Sequence, residues 1–167
     1  MLTRYEFNRT CSKDITMPTF TVQAFNHTSF TVIDIDRTVS FLCDCLGFEL
    51  INKTPRDPRA IEHITGVTGA DVIIAFVQGP GHRLELIQYL KPEERKQIQG
   101  NPCDTAFAHV AFDVDDIDAA IAAAADYDVV PYATPWVIDQ GPNTGNRVAY
   151  LKTWDGITLE FIEKAHS

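Results

Sequence analysis

Hydrophobic and polar positions along the chain change period several times, and each change marks an element. From Ala24 to Val32 a stretch rich in Phe, Thr and Val predicts a strand. Asp36 then stands where a helix cap belongs, and Val39, Phe41, Leu42 and Leu46 recur at helical spacing up to Gly47, a residue suited to a C-terminal stop. Phe48–Ile51 predicts a short strand, and the polar stretch with Pro55 and Pro58 leaves room for a helical turn at Arg59–Ile64. Asp71–Gln78 and Arg83–Leu90 predict two further strands around Gly79-Pro80-Gly81, a strong turn signal. Residues 1–22 have no clear period and predict an extension outside the core.

The charged stretch Lys91–Asp104 predicts a linker with a short helix at Glu93–Gln99. After it the order returns. Phe107–Val114 predicts a strand, Asp116–Ala125 an alanine-rich helix with Asp115 or Asp116 near its cap, and Val129–Tyr132 a short extended piece. Asn146–Lys152 and Ile157–Ile162 predict two strands joined by Thr153-Trp154-Asp155-Gly156. The chain thus divides into an extension (1–22), a first module (23–90), a linker (91–104) and a second module (105–164).

The recurrence extends to the residues themselves. Phe25–Asp36 lies over Phe107–Asp118 at a constant offset of 82 with seven identities, among them His27 and His109. Leu84-Glu85-Leu86-Ile87 likewise lies over Leu159-Glu160-Phe161-Ile162 at an offset of 75. Period-two alternation sets His27, Ser29 and Thr31 opposite Phe30 and Val32, and Glu85 opposite Leu84 and Leu86. The second module repeats the arrangement with His109 and Glu160. Two sheets related by a pseudo-two-fold would gather two imidazoles and two carboxylates in one concave site. Such a mixed N/O set suits one divalent ion per site, with Mn, Fe, Co, Ni and Zn all open.

Composition narrows the partners. The formal net charge is −9, from 14 Lys+Arg against 23 Asp+Glu, so neither nucleic acid nor an anionic membrane surface is expected. An anionic substrate would need a local basic pocket. The first 20 residues carry charges and no apolar run, which argues against a secretory signal. Cys11, Cys43, Cys45 and Cys103 form no CxxC pair, which points to reduced thiols and a cytoplasmic setting.

Repeat, element order and ligand pattern together resemble the vicinal oxygen chelate superfamily of glyoxalase, bleomycin-resistance and dioxygenase proteins, over about residues 23–164. Asp34-Ile35-Asp36-Arg37 running into Phe41, and Leu46-Gly47-Phe48-Glu49-Leu50, are further matches; Leu42 stands where members often carry Tyr. The resemblance implies an α+β fold of two tandem βαβββ modules forming a curved, half-open mixed-sheet cleft. It implies His27, Glu85, His109 and Glu160 as metal ligands, and chemistry on a small-molecule substrate. Four filled ligand positions favour isomerases, epimerases or lyases that stabilise an enediolate of a 2-substituted carbonyl or acyl thioester. Glu85-Leu86-Ile87-Gln88-Tyr89-Leu90 is similar to the corresponding stretch of methylmalonyl-CoA epimerases. An extradiol-type Fe or Mn dioxygenase and a non-catalytic binding or resistance protein stay open beside it.

Glu160 and Glu85 are the candidate proton-moving groups; the resemblance adds Asp71, near the place where epimerases carry a second catalytic carboxylate, and Arg147 is a candidate for a substrate carboxylate or phosphate. His63, His82 and His166 read as structural, Glu163 as plain surface, and Cys43 and Cys45 as helix packing. A homodimer is expected, since a second copy commonly covers open sheet edges. Whether one chain or two would close the site is left open by the sequence.

Overall fold

The computed structural model describes residues 19–165, so most of the expected N-terminal extension lies outside the described residues, as do Cys11 and His166. The elements run β1 (Thr28–Thr31), α1 (Ile35–Ser40), β2 (Glu49–Pro55), α2 (Pro58–Thr65), β3 (Asp71–Gly79) and β4 (His82–Lys91) in the first module. The second holds β5 (His109–Val114), α3 (Ile117–Ala125), β6 (Val130–Pro131), β7 (Trp136–Val137), β8 (Arg147–Lys152) and β9 (Thr158–Glu163). Each module builds its own mixed sheet, ordered β1-β4-β3-β2 and β5-β9-β8-β6, with β7 also on β8. In both, the first strand runs parallel to the last and all other pairs are antiparallel. This is the expected α+β architecture. Among the described residues no helix is long and apolar enough to cross a membrane.

Asp34, rather than Asp36, caps α1: its carboxylate accepts from the Asp36 and Arg37 amides at 3.0 Å each. Asp116 does the same for α3 with Asp118 and Ala119, so the repeat extends to its caps. Asp36 sits in the first turn, where a negative charge suits the helix dipole, and binds Lys53. The helix expected to run to Leu46 ends in a wide π-turn, in which the Leu46 amide reaches back to Phe41 O at 3.3 Å. Gly47 follows at φ 72°, a left-handed stop that glycine adopts without strain.

Three other expectations need correction, and one strand was not expected at all. The first strand of each module starts later than its β-rich sequence suggests: the parallel ladder begins only at Thr28↔Leu84 in the first and at His109↔Thr158, where β9 itself begins, in the second. β2 extends to Pro55 although residues beyond Ile51 are polar; it is an edge strand, exposed throughout, that has no need of apolar side chains. The linker forms no helix. Glu93-Glu94-Arg95-Lys96-Gln97 lacks an apolar stripe to bury, and the segment lies instead across the β8–β9 turn, where the Gln97 side-chain Nε2 donates to Trp154 O at 2.8 Å. The two-residue β7 gave no sequence signal.

One core joins the modules. Val32, Ile35, Phe41, Leu42, Leu84 and Leu86 from the first share it with Ile117, Ala124, Leu151, Leu159 and Phe161 from the second. Phe41 meets Tyr127 and Trp154, and Phe48 meets Phe112 edge-on at 5.6 Å. Gly79 has no room for a side chain, since an added Cβ would stand 2.4 Å from the Phe48 ring. Polar contacts reinforce the seam: Arg37 lies 4.0 Å over the Trp154 ring and binds Asp128, and buried Asp155 accepts from the Ile33 amide (2.7 Å) and Thr38 hydroxyl (3.3 Å).

Burial pushes the Asp155 carboxyl above its ordinary value, against the pull of those two donors. Such a carboxyl supports the fold while protonated and loses that contribution as pH climbs through the raised value. Asp155→Asn does not titrate, so wild type should lose stability relative to it as pH rises from the acid side toward neutrality. Asp155→Ala strands the Ile33 amide and should cost about 1–3 kcal/mol in urea unfolding.

Candidate metal centre

The site begins with the same short motif in each sheet. His27 immediately precedes β1 and His109 opens β5, while Glu85 and Glu160 sit mid-strand in β4 and β9. The parallel registers Ser29↔Glu85 and Ala111↔Glu160 are equivalent under the sequence repeat. Leu84, Leu86, Leu159 and Phe161 point into the joint core, so both glutamates project from the opposite faces.

Imidazole and carboxylate then meet pairwise. His27 Nε2 lies 3.3 Å from Glu85 Oε2, and His109 Nε2 lies 3.1 Å from Glu160 Oε2. The glutamate side chains are only 15% and 18% exposed, deeper than their histidines at 32% and 35%. Two ligands about 2.1 Å from a shared ion stand about 3.0 Å apart in cis octahedral geometry and about 3.4 Å apart in tetrahedral geometry. Each pair therefore has the spacing of a two-pronged chelate, and its donor chemistry fits a divalent ion.

The four expected ligands do not converge within one chain. Among the described residues no group of three or more His, Cys, Asp or Glu side chains could hold one ion. The core unites the modules through their helix-side faces, and the pairs face away from it as two separate half-sites.

Each half-site has neighbours that sequence reasoning did not single out. Around His27, the Asn26 carboxamide oxygen accepts from Nδ1 at 2.7 Å and from an Arg83 Nη2 at 2.9 Å. Arg83 also lies over the Phe76 ring at 5.1 Å, and Phe76 meets His27 edge-on at 5.6 Å. Arg83 forms no ion pair among the described residues, and its Nε is buried without a hydrogen-bond partner. Around His109, Tyr150 packs at 4.8 Å between ring centres, with its hydroxyl 3.5 Å from Nε2. Burial, followed by the charge of Glu160, pushes the Tyr150 phenol above its ordinary value, so it remains a neutral O–H donor at pH 7. Period-two spacing from Glu85 would have found Arg83; Tyr150 needed the register Tyr150↔Glu160, which no sequence spacing supplies.

Arg147 and Asp71 do not join the site. Arg147 stands on the α3 side of β8, the face opposite Tyr150, bound to Asp118 at 2.9 Å and Glu163 at 3.2 Å. The Asp118 hydrogen bond raises its pKa and holds its partner's carboxyl low. Glu163 is likewise structural rather than plain surface, accepting the Ile117 amide at 2.8 Å. Asp71 begins β3, five positions from the Phe76 that neighbours Glu85, roughly 16 Å at strand rise.

Comparison with known proteins places these features in context. Residues 24–161 match the family model described as the Glyoxalase/Bleomycin resistance protein/Dioxygenase superfamily. A 2-epi-5-epi-valiolone epimerase from an Actinomyces species is 34% identical over 145 residues, spanning 83% of this chain and 78% of the relative. A glyoxalase family protein from Bacillus cereus superposes with a TM-score of 0.77 at 23% identity, covering 90% of this chain and 99% of that one. A glyoxalase I variant from Zea mays superposes at 0.59 and 19% identity, covering 84% of this chain and 45% of that one.

Because Arg147 is engaged by α3 and β9, Arg147→Gln is expected to lower the thermal unfolding midpoint and leave metal uptake unchanged. Calorimetry and metal titration on the same preparation check both halves.

Proposed function

Since the chain belongs to the Glyoxalase/Bleomycin resistance protein/Dioxygenase superfamily, we propose that it is a divalent-metal-dependent epimerase or isomerase acting beside the carbonyl of a small substrate. The observation that carries this reading is the pair of His–Glu contacts, whose donor spacing suits a shared ion. The resemblance to an epimerase over most of the chain supports the reaction class.

His27, Glu85, His109 and Glu160 would hold the ion. When bound, the ion supplies Lewis-acid polarisation of the substrate carbonyl, which acidifies the neighbouring C–H. The Glu160 carboxylate, loosened from the ion or through its second oxygen, is the group that would accept and return that proton. Tyr150 stands beside it and donates its phenolic hydrogen to a substrate oxygen. On the other side Glu85 remains a ligand, braced by β4.

Because the half-sites face away from the core of their own chain, two copies complete each other. The first module of one chain and the second module of its partner would bring four ligands together, giving two sites per homodimer. Covering the exposed sheet edges favours the same assembly.

Three outcomes are expected. Elemental analysis after reconstitution should find about one divalent ion per chain, lost on His27→Ala or His109→Ala, since each leaves the site short of a ligand. Mixing those two inactive variants should restore about a quarter of wild-type sites, because only a heterodimer recombines one intact pair of halves. A site closed within one chain would recover none. Glu160→Gln should keep much of its metal yet lose on the order of 10²–10⁴ in α-hydrogen exchange with deuterated solvent, the cost of deleting a general base. Near-normal exchange would move the base to Glu85. Absence of exchange with every 2-carbonyl substrate, together with O₂ consumption on catechols, would replace the epimerase with a dioxygenase.

A further inference from the structure

The repeat that doubles His, Glu and register does not double their surroundings. Under the same offsets, Asn26 corresponds to Ala108, Arg83 to Thr158, and Phe76, through its pairing with Glu85, to Tyr150. Thr158 is fully buried and bonded to the Tyr132 hydroxyl at 3.2 Å, so it does not reach His109 as Arg83 reaches the His27 cluster. Around His27 there is a closed ring of contacts: Arg83 to Asn26, Asn26 to His27, His27 to Phe76, and Phe76 back to Arg83. Around His109 there is a phenol and no partner for Nδ1 among the described hydrogen bonds.

The chemistry of that ring fixes one proton. A carboxamide oxygen only accepts, so Nδ1 of His27 must carry the hydrogen. Arg83 donates to the same oxygen, which makes it a better acceptor and settles which way the amide faces. In the neutral ring the lone pair is thereby left on Nε2, the atom 3.3 Å from Glu85 Oε2. Beside the Glu85 carboxylate that lone pair draws a proton or a metal ion, so the contacts to Nδ1 prepare His27 in the neutral tautomer that can ligate beside Glu85.

We propose that Asn26 and Arg83 are positioning residues that make the His27–Glu85 half the anchoring half of the site. The His109–Glu160 half, with Tyr150 in place of Phe76, is left freer to move a proton. The proposal rests on the metal-site reading above for its effect on affinity, but not for its effect on the His27 tautomer.

Two measurements test it. In the metal-free wild-type protein, long-range ¹H–¹⁵N spectra should show the neutral His27 ring protonated on Nδ1. In Asn26→Ala the Nε2–H form, which a free imidazole favours, should become the major one. Asn26 is exposed, and matched unfolding midpoints will show that the variant folds. Titration with cobalt(II), followed by visible absorption, should show affinity falling about 10–100-fold in Asn26→Ala and by a smaller factor in Arg83→Met. Arg83→Lys, which keeps a donor for the carboxamide, should recover part of that loss. An unchanged tautomer in Asn26→Ala overturns the proposal, as does equal cobalt affinity in wild type and that variant. Wild-type protein that takes up no cobalt would remove the metal-site reading alone, because the tautomer measurement needs no metal.

Discussion

Leu84, Leu86, Leu159 and Phe161 are buried in one apolar core shared by both modules, and Glu85 and Glu160 alternate with them along β4 and β9. Much else depends on this alternation. Burying the leucines and phenylalanine turns each carboxylate to the far face of its sheet. Parallel pairing with β1 or β5 then sets a histidine two residues before the carboxylate's register partner. Slipping either strand by one residue would bury the glutamate and expose the core, so the packing that stabilises the fold also fixes the His–Glu pair.

The same alternation explains how much of the protein was legible in its sequence. The order of elements and the face carrying His and Glu follow from local periodicity, and the two modules follow from the repeat of that pattern along the chain. What could not be read depends on distant partners. Phe25 has strand-like neighbours, yet β4 begins too late to pair with it. Arg147 offers a free cation in sequence, but α3 brings Asp118 against it. Tyr150 lies ten residues from Glu160 in the chain and directly across from it in the sheet. The direction in which the two half-sites face was equally hidden, because it depends on which sides of the sheets the shared core occupies.

The internal repeat is kept at some positions and lost at others, residue by residue. Helix caps, first-strand histidines and last-strand glutamates remain paired. The residues immediately around the histidines have separated into a carboxamide–guanidinium cluster on one side and a phenol on the other. A symmetric scaffold with asymmetric surroundings suits a reaction in which one group must stay fixed while its counterpart exchanges a proton.

The bond from the Ile33 amide to Asp155 joins residues 122 apart, between the start of the first helix and the last hairpin. The first module thus receives one of its buried acceptors from nearly the end of the chain, and the apolar seam lies beside it. During synthesis, the N-terminal half must wait for the C-terminal half before its core closes. Long-range closure of this kind slows folding and makes it cooperative. Limited proteolysis within the linker would leave two fragments, each exposing a face that the other had covered, so the chain should unfold as one unit rather than by halves.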